Sequence, residues 1–135
     1  MDEKKDKVIV AHCWSAAKNE YLPMDMKLDF VKDKSDTECI GLGDRWQFDG
    51  VEMVDGGKTA KELLNESAER HQANVAVVGY HGRKGVKADP TIMGTAVQYM
   101  GINSSVPIFI VKDPIARKNK ENKAFRFAAC CDGSK

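Results

Sequence analysis

The sequence predicts an α/β chain built on a parallel, open sheet. Three observations predict it. Three continuous apolar runs, Val8–Trp14, Ala73–Gly79 and Val106–Val111, are rich in β-branched residues and carry no polar alternation. That pattern fits strands covered on both faces, as in parallel sheets. Helical segments separate the runs, and parallel neighbours need such crossovers. Gly- and Asp-rich turns punctuate the joins.

The elements follow in order. Residues 1–6 are a charged leader without an apolar core, so they do not read as a secretory signal. Val8–Trp14 is the first strand. In 15–45, the least readable part, Met24, Met26, Leu28 and Phe30 alternate with Asp25, Lys27 and Asp29, a period-two pattern that favours an extended segment, while a short helix over the same stretch stays open. Gly41, Gly43 and Asp44 mark a turn, and a second strand is expected within Trp46–Val54. Thr59-Ala60-Lys61-Glu62 fits a capping box, and Ala60, Leu63, Leu64 and Ala68 then share one helical face. After the strand Ala73–Gly79 comes a Gly- and Lys-rich loop over 80–93. A short helix follows over Gly94–Ser104, then the strand Val106–Val111. Residues 112–123 read as a polar linker, and Ala124–Cys131 reads as a last strand ending in Asp132-Gly133-Ser134.

With 135 residues the chain forms one domain, 1–135. A hydrophobic share of 42% and a charged share of 30% exclude disorder for most of it. Twenty-one basic against 20 acidic residues leave a net charge of +1, which argues against a nucleic-acid or anionic-lipid partner. No apolar stretch approaches the ~20 residues a membrane helix needs. Cys13, Cys39, Cys130 and Cys131 contain no Cys-x-x-Cys, and adjacent residues of a strand face opposite ways, so Cys130 and Cys131 do not chelate one metal. They read as small buried thiols of a reducing compartment.

Several chemistries fail on spacing. Gly57-Lys58-Thr59 ends like a P-loop, but Glu52 stands where that motif needs its first glycine. His12, His71 and His81 have no metal-binding spacing. There is no Gly-x-Ser-x-Gly elbow and no carboxylate pair placed for acid–base work. The expectation is a binding module rather than an enzyme.

One constellation survives: Val77-Val78-Gly79-Tyr80-His81-Gly82-Arg83-Lys84-Gly85, followed by Met93-Gly94-Thr95-Ala96. A strand ends in two close glycines and Gly-Thr opens the next helix. Glycines admit close approach of an anion to the backbone, and a helix N-terminus offers unpaired N–H groups and a positive dipole end. Arg83, Lys84 and Lys87 add charge. On glycine spacing alone, a Gly-rich turn with solvated lysines fits as well.

Residues 75–111 resemble the universal stress protein family, whose signature is Gly-x2-Gly-x9-Gly-Ser/Thr before a helix and a Pro-Val-like final strand. Gly79, Gly82, Gly94, Thr95 and Val106-Pro107-Ile108 match it. Asp55–Gln72 is similar to the segment before that motif, Val10-Ala11-His12-Cys13 resembles the family's second strand, and residues 125–134 resemble its first, which ends in Asp-Gly-Ser. The gap between Gly82 and Gly94 holds eleven residues rather than nine. The order also departs: the chain begins at the family's second strand, ends with its first, and lacks the family's first helix. A segment cut from a tandem protein accounts for this most simply.

The resemblance implies a Rossmann-like, adenine nucleotide α-hydrolase-like sheet of five parallel strands, ordered third, second, first, fourth, fifth, with the first strand supplied by 124–131. Twelve extended linker residues reach about 40 Å, against a return of roughly 17–20 Å along the sheet and about 10 Å sideways. The terminal strand can therefore close its own sheet or be exchanged with a second copy. A missing helix leaves apolar sheet uncovered, so a homodimer is expected.

The resemblance further implies a cytoplasmic stress-response regulatory switch that binds ATP accompanied by Mg²⁺, with slow hydrolysis left open. The backbone at Cys13 would lie near adenine, Val78 would line the pocket, and Gly79 and Gly82 would follow the ribose and phosphates. Arg83 would add charge. Gly94, Thr95 and Ala96 would donate to the phosphates, and Asp132 would meet the nucleoside. The alternative is a nucleotide-free, dimerising regulatory stress domain.

Overall fold

The computed structural model describes residues 6–82, 88–89 and 91–112. The linker from residue 113, the terminal strand 124–131, Lys84, Gly85, Lys87 and the thiols of Cys130 and Cys131 lie outside the described residues.

Strand β1 (Val8–Trp14) pairs in parallel with β2 (Trp46–Glu52), from Val8 opposite Trp46 to Trp14 opposite Glu52. Strand β3 (Ala76–Gly79) pairs in parallel with β4 (Ile108–Val111), from Ala76 opposite Ile108 to Gly79 opposite Val111. The fold is thus mixed α/β with parallel strands. The expected five-stranded sheet is not what the described residues form: they form two separate two-stranded sheets. The strand expected between β1 and β3 falls among the residues not described. Strand β3 is also shorter than expected, because the chain is still leaving the preceding helix at Ala73.

That helix, α3 (Ala60–Arg70), starts as the sequence dictates. The Glu62 carboxylate accepts from the Thr59 N–H at 2.7 Å and from its hydroxyl at 2.5 Å, a capping box that satisfies an otherwise orphaned backbone donor. It ends in a Schellman motif. Gln72 takes φ = 50°; its N–H donates to the Glu69 carbonyl at 2.9 Å, and the Ala73 N–H donates to the Ala68 carbonyl at 3.0 Å.

Helix α3 packs across β1 and β2, with α4 (Thr95–Asn103) beside it. Helix α2 (Leu28–Glu38) covers the opposite face of β1 and β2. The strand period sets these sides. Asp49 meets α3 through Ser67, whereas the next residue, Gly50, comes close to Leu28 on α2. Cys13, Val97, Met100 and Val106 are the buried apolar residues among those described.

Residues 24–38 correct the expectation of an extended segment. Met24–Met26 is a 3₁₀ turn and Leu28–Glu38 is an α-helix, preceded by the short α1 (Ala16–Asn19). Met24 and Phe30, half of the alternating set, are exposed. The half-buried positions are instead Leu28, Val31, Ser35 and Cys39, which share one helical face. The helix start is fixed from a distance: the Leu28 N–H donates to the Asn19 side-chain carbonyl at 3.0 Å.

Among the described residues, no helix is long and apolar enough to cross a membrane.

Candidate functional site

Gly79, Gly82 and Gly94 meet in one corner, built where β3 and β4 end and α4 begins. Strand pairing continues one residue past β3, with the Tyr80 N–H donating to the Val111 carbonyl at 2.8 Å. The chain then turns through His81 and Gly82 and returns at Gly94, the N-cap of α4. The Gly94 N–H donates to the Tyr80 carbonyl at 2.8 Å.

The glycines do different work. A Cβ on Gly94 would stand 3.0 Å from the Gly82 nitrogen and 3.4 Å from the Tyr80 carbonyl oxygen. Only glycine lets these backbones approach so closely. A Cβ on Gly79 would meet the His81 carbonyl oxygen at 3.3 Å. Among the described residues a Cβ on Gly82 meets nothing within 4 Å, so their packing does not demand glycine there.

The Gly94 N–H is engaged by the Tyr80 carbonyl. Among the described residues nothing accepts from the Thr95 and Ala96 N–H groups. They are the first helical amides, where the α4 dipole is positive. The Thr95 side chain is exposed beside them.

The surroundings are polar. Tyr80 donates its phenol proton to the Thr91 carbonyl. Thr91 donates through its N–H at 2.9 Å and its hydroxyl at 2.6 Å to the Asp89 carboxylate. The hydroxyl bond first, and then the amide bond, hold the Asp89 carboxyl below its ordinary value. The Lys112 ammonium sits 4.9 Å from the centre of the Tyr80 ring, a cation–π contact. The His81 ring stands edge-on to Tyr80 at 4.8 Å, and its Nδ1 is buried without a hydrogen-bond partner among the described residues.

The structure therefore brings Val78, Gly79, Gly82, Gly94, Thr95 and Ala96 to one corner. Cys13 lies on the other strand pair, opposite Val51, with its thiol donating to the Ala60 carbonyl at 3.6 Å. Arg83 and Asp132 lie outside the described residues.

Sequence reasoning missed a second polar cluster. One oxygen of Asp49, Oδ2, accepts from Ser67 Oγ at 2.6 Å and from Arg70 Nη2 at 2.5 Å, and lies 3.1 Å from His71 Nε2. Serine and histidine both address the carboxylate rather than each other, so this is not a nucleophilic triad. It anchors α3 on β2. Ser67 and His71 at helical i, i+4 spacing were the available signal. Among the described residues, no group of three or more His, Cys, Asp or Glu side chains is placed to hold a metal ion.

No family model and no curated protein matches the chain by sequence. Solved structures are similar in fold. One is that of hypothetical protein MJ0577, reported as a structure-based assignment of biochemical function in a test case of structural genomics. The TM-score is 0.51 at 18% identity, with 82% of this chain and 78% of that one covered. At that identity the likeness shows the fold alone: a mixed α/β chain with parallel strands.

Proposed function

We propose that the chain is a nucleotide-binding regulatory module that takes ATP, accompanied by Mg²⁺, at the β3–α4 corner. One observation carries this reading: Gly94 approaches the Gly82 nitrogen so closely that a Cβ would stand at 3.0 Å, which sets the first amides of α4 at the strand ends. Ligands of open parallel sheets bind at the carboxyl ends of strands. The Thr95 and Ala96 amides and the Thr95 hydroxyl receive phosphate oxygens. Gly79 and Gly82 leave room along the ribose and phosphates, and Val78 lines the pocket. The Cys13 backbone, Arg83 and Asp132 complete it in a five-stranded sheet whose fifth strand is 124–131. Mg²⁺ enters with the phosphates. The module acts as a cytoplasmic switch in the stress response rather than as an enzyme, and works as a homodimer. The fold shared with MJ0577 supports the scaffold of this reading.

The test is calorimetric titration of the whole chain with ATP and Mg²⁺, its mass followed by light scattering. Saturable binding near one ATP per chain is expected. A folded dimer that takes no ATP at millimolar concentration rejects the reading.

A second reading, a dimerising module without nucleotide, is favoured by a different observation. Val77 and Phe109 are register partners on β3 and β4, and they are 66% and 56% exposed. With Val75 and Val111 they form an apolar face. Among the described residues no element covers it, whereas α2 covers the corresponding face of β1 and β2.

A further inference from the structure

We infer that Tyr80 is the positioning residue of the β3–α4 corner: it fixes the first turn of α4 against the strand ends, so that the Thr95 and Ala96 amides stand ready for an anion. The inference rests on the nucleotide reading above and assigns the group that orients that site.

Four observations converge on this one side chain and its peptide groups. The Tyr80 N–H holds the Val111 carbonyl at 2.8 Å, and the Tyr80 carbonyl takes the Gly94 N–H at 2.8 Å. The phenol donates to the Thr91 carbonyl. The Lys112 ammonium lies 4.9 Å from the ring centre. The residue thus touches β4, the segment before α4, the N-cap of α4, and a cation at the carboxyl end of β4. The two peptide bonds are available to any residue at this position. The phenol bond and the cation–π contact need an aromatic ring, and the phenol bond needs tyrosine.

The contribution to ligand binding is one of preorganisation. Thr91 stands three residues before Gly94, so fixing its carbonyl fixes the approach of the chain to the helix start. Helix amides held in place before the ligand arrives cost less ordering when it binds. Lys112, held over the ring, adds positive charge at the same end of the sheet, where a polyphosphate is drawn and a neutral nucleoside is not.

The test compares wild type with Tyr80→Phe, which keeps the ring and deletes one hydroxyl. ATP and adenosine are titrated by calorimetry, and amide hydrogen exchange is followed without nucleotide at Gly94, whose N–H donates to the Tyr80 carbonyl, and at Gln98, whose N–H donates to the Gly94 carbonyl at 3.1 Å. Tyr80→Phe is expected to weaken ATP about five- to tenfold, the scale of one hydrogen bond, to leave adenosine affinity unchanged, and to speed exchange at both amides. A general loss of structure would weaken both ligands together, so an unchanged ratio of ATP to adenosine affinity overturns the inference. Lys112→Gln separates charge from positioning: it is expected to weaken ATP without speeding exchange. If it speeds exchange as much as Tyr80→Phe, the phenol is not the holding group and the inference falls. If wild type takes no ATP, the nucleotide reading fails by itself. The exchange rates then decide the positioning role: faster exchange in Tyr80→Phe sustains it, and unchanged exchange overturns it.

Discussion

Asp49 on β2 and Ser67 on α3 are joined by a 2.6 Å hydrogen bond from the serine hydroxyl to the carboxylate. This bond, with those of Arg70 and His71 to the same oxygen, couples the stability of the chain to pH. Burial pushes the Asp49 carboxyl up. Ser67, His71 and Arg70 together outweigh that and hold it below its ordinary value. The folded-state pKa is therefore lower than the unfolded one of about 3.9. Stability from this group is present above that pH and is lost as pH falls through the depressed folded value. In urea titrations at stepped pH, wild type is expected to lose stability on the acid side more steeply than Asp49→Asn, which cannot titrate. Parallel acid limbs would show that the cluster does not couple to protonation.

Ser67 is 1% exposed, so its hydroxyl has no solvent to fall back on. Ser67→Ala removes a charge-assisted bond and leaves the carboxylate with two donors. A loss of about 1.5–3 kcal/mol in unfolding free energy is expected, read from the shift in urea midpoint at constant m-value. A change below about 0.5 kcal/mol would mean that Arg70 and His71 hold Asp49 without it.

Gln72 ends α3 with φ = 50°, a left-handed conformation that glycine adopts without penalty and other L-residues do not. Gln72→Gly is expected to raise stability by about 1 kcal/mol, after allowance for the greater freedom of glycine in the unfolded chain. Thermal unfolding measures this as a rise of a few degrees in Tm. A fall in Tm would show that the Gln72 side chain contributes more than its backbone costs.

The elements that were legible in the sequence are those whose signals are local. β1, β2, β4 and α4 follow from apolar runs and from Gly-Thr, and α3 follows from Thr59 and Glu62 meeting within one turn. Helix α2 was illegible because what fixes it is remote. Its half-buried stripe is narrow, its other faces are polar, and its first N–H is capped by Asn19, nine residues upstream. The same division runs through the site. Gly79, Gly82 and Gly94 stood out by spacing. The tasks of Tyr80 and Lys112 arise only when β4 is laid beside β3, and Asp49 gains its partners 18 to 22 residues away. Periodicity shows which face of a strand is buried; it does not show which side chain of another element will meet it.

Val77 and Phe109 face outward side by side in the parallel pair. Apolar side chains left in water favour association, at roughly 25 cal/mol per Å² removed. Val77→Lys combined with Phe109→Lys places two like charges opposite each other on that face, which disfavours self-association. The expected outcome is a lower mass by light scattering at micromolar concentration than wild type, with the far-UV circular dichroism unchanged. Equal masses for the two proteins would show that this face does not carry the association.

Gly94 gives the sharpest separation between the two functional readings. Its Cα faces the Gly82 nitrogen so closely that any Cβ must displace backbone, and backbone cannot rotate aside as a long side chain can. Gly94→Val therefore pushes the first turn of α4 away from the strand ends and strains the bond from Gly94 to the Tyr80 carbonyl. Val77 and Phe109 lie on the sheet face opposite to the one packed against α4, so the association surface is untouched. If the corner takes ATP, the variant is expected to lose binding by at least tenfold while its mass by light scattering stays that of wild type. Gly82→Ala is the matched control, because among the described residues a Cβ there meets nothing within 4 Å. Its fold is expected to stay intact, so any loss of ATP affinity reports contact with the ligand rather than repair of a clash. Full ATP affinity in Gly94→Val would remove the corner from the nucleotide site.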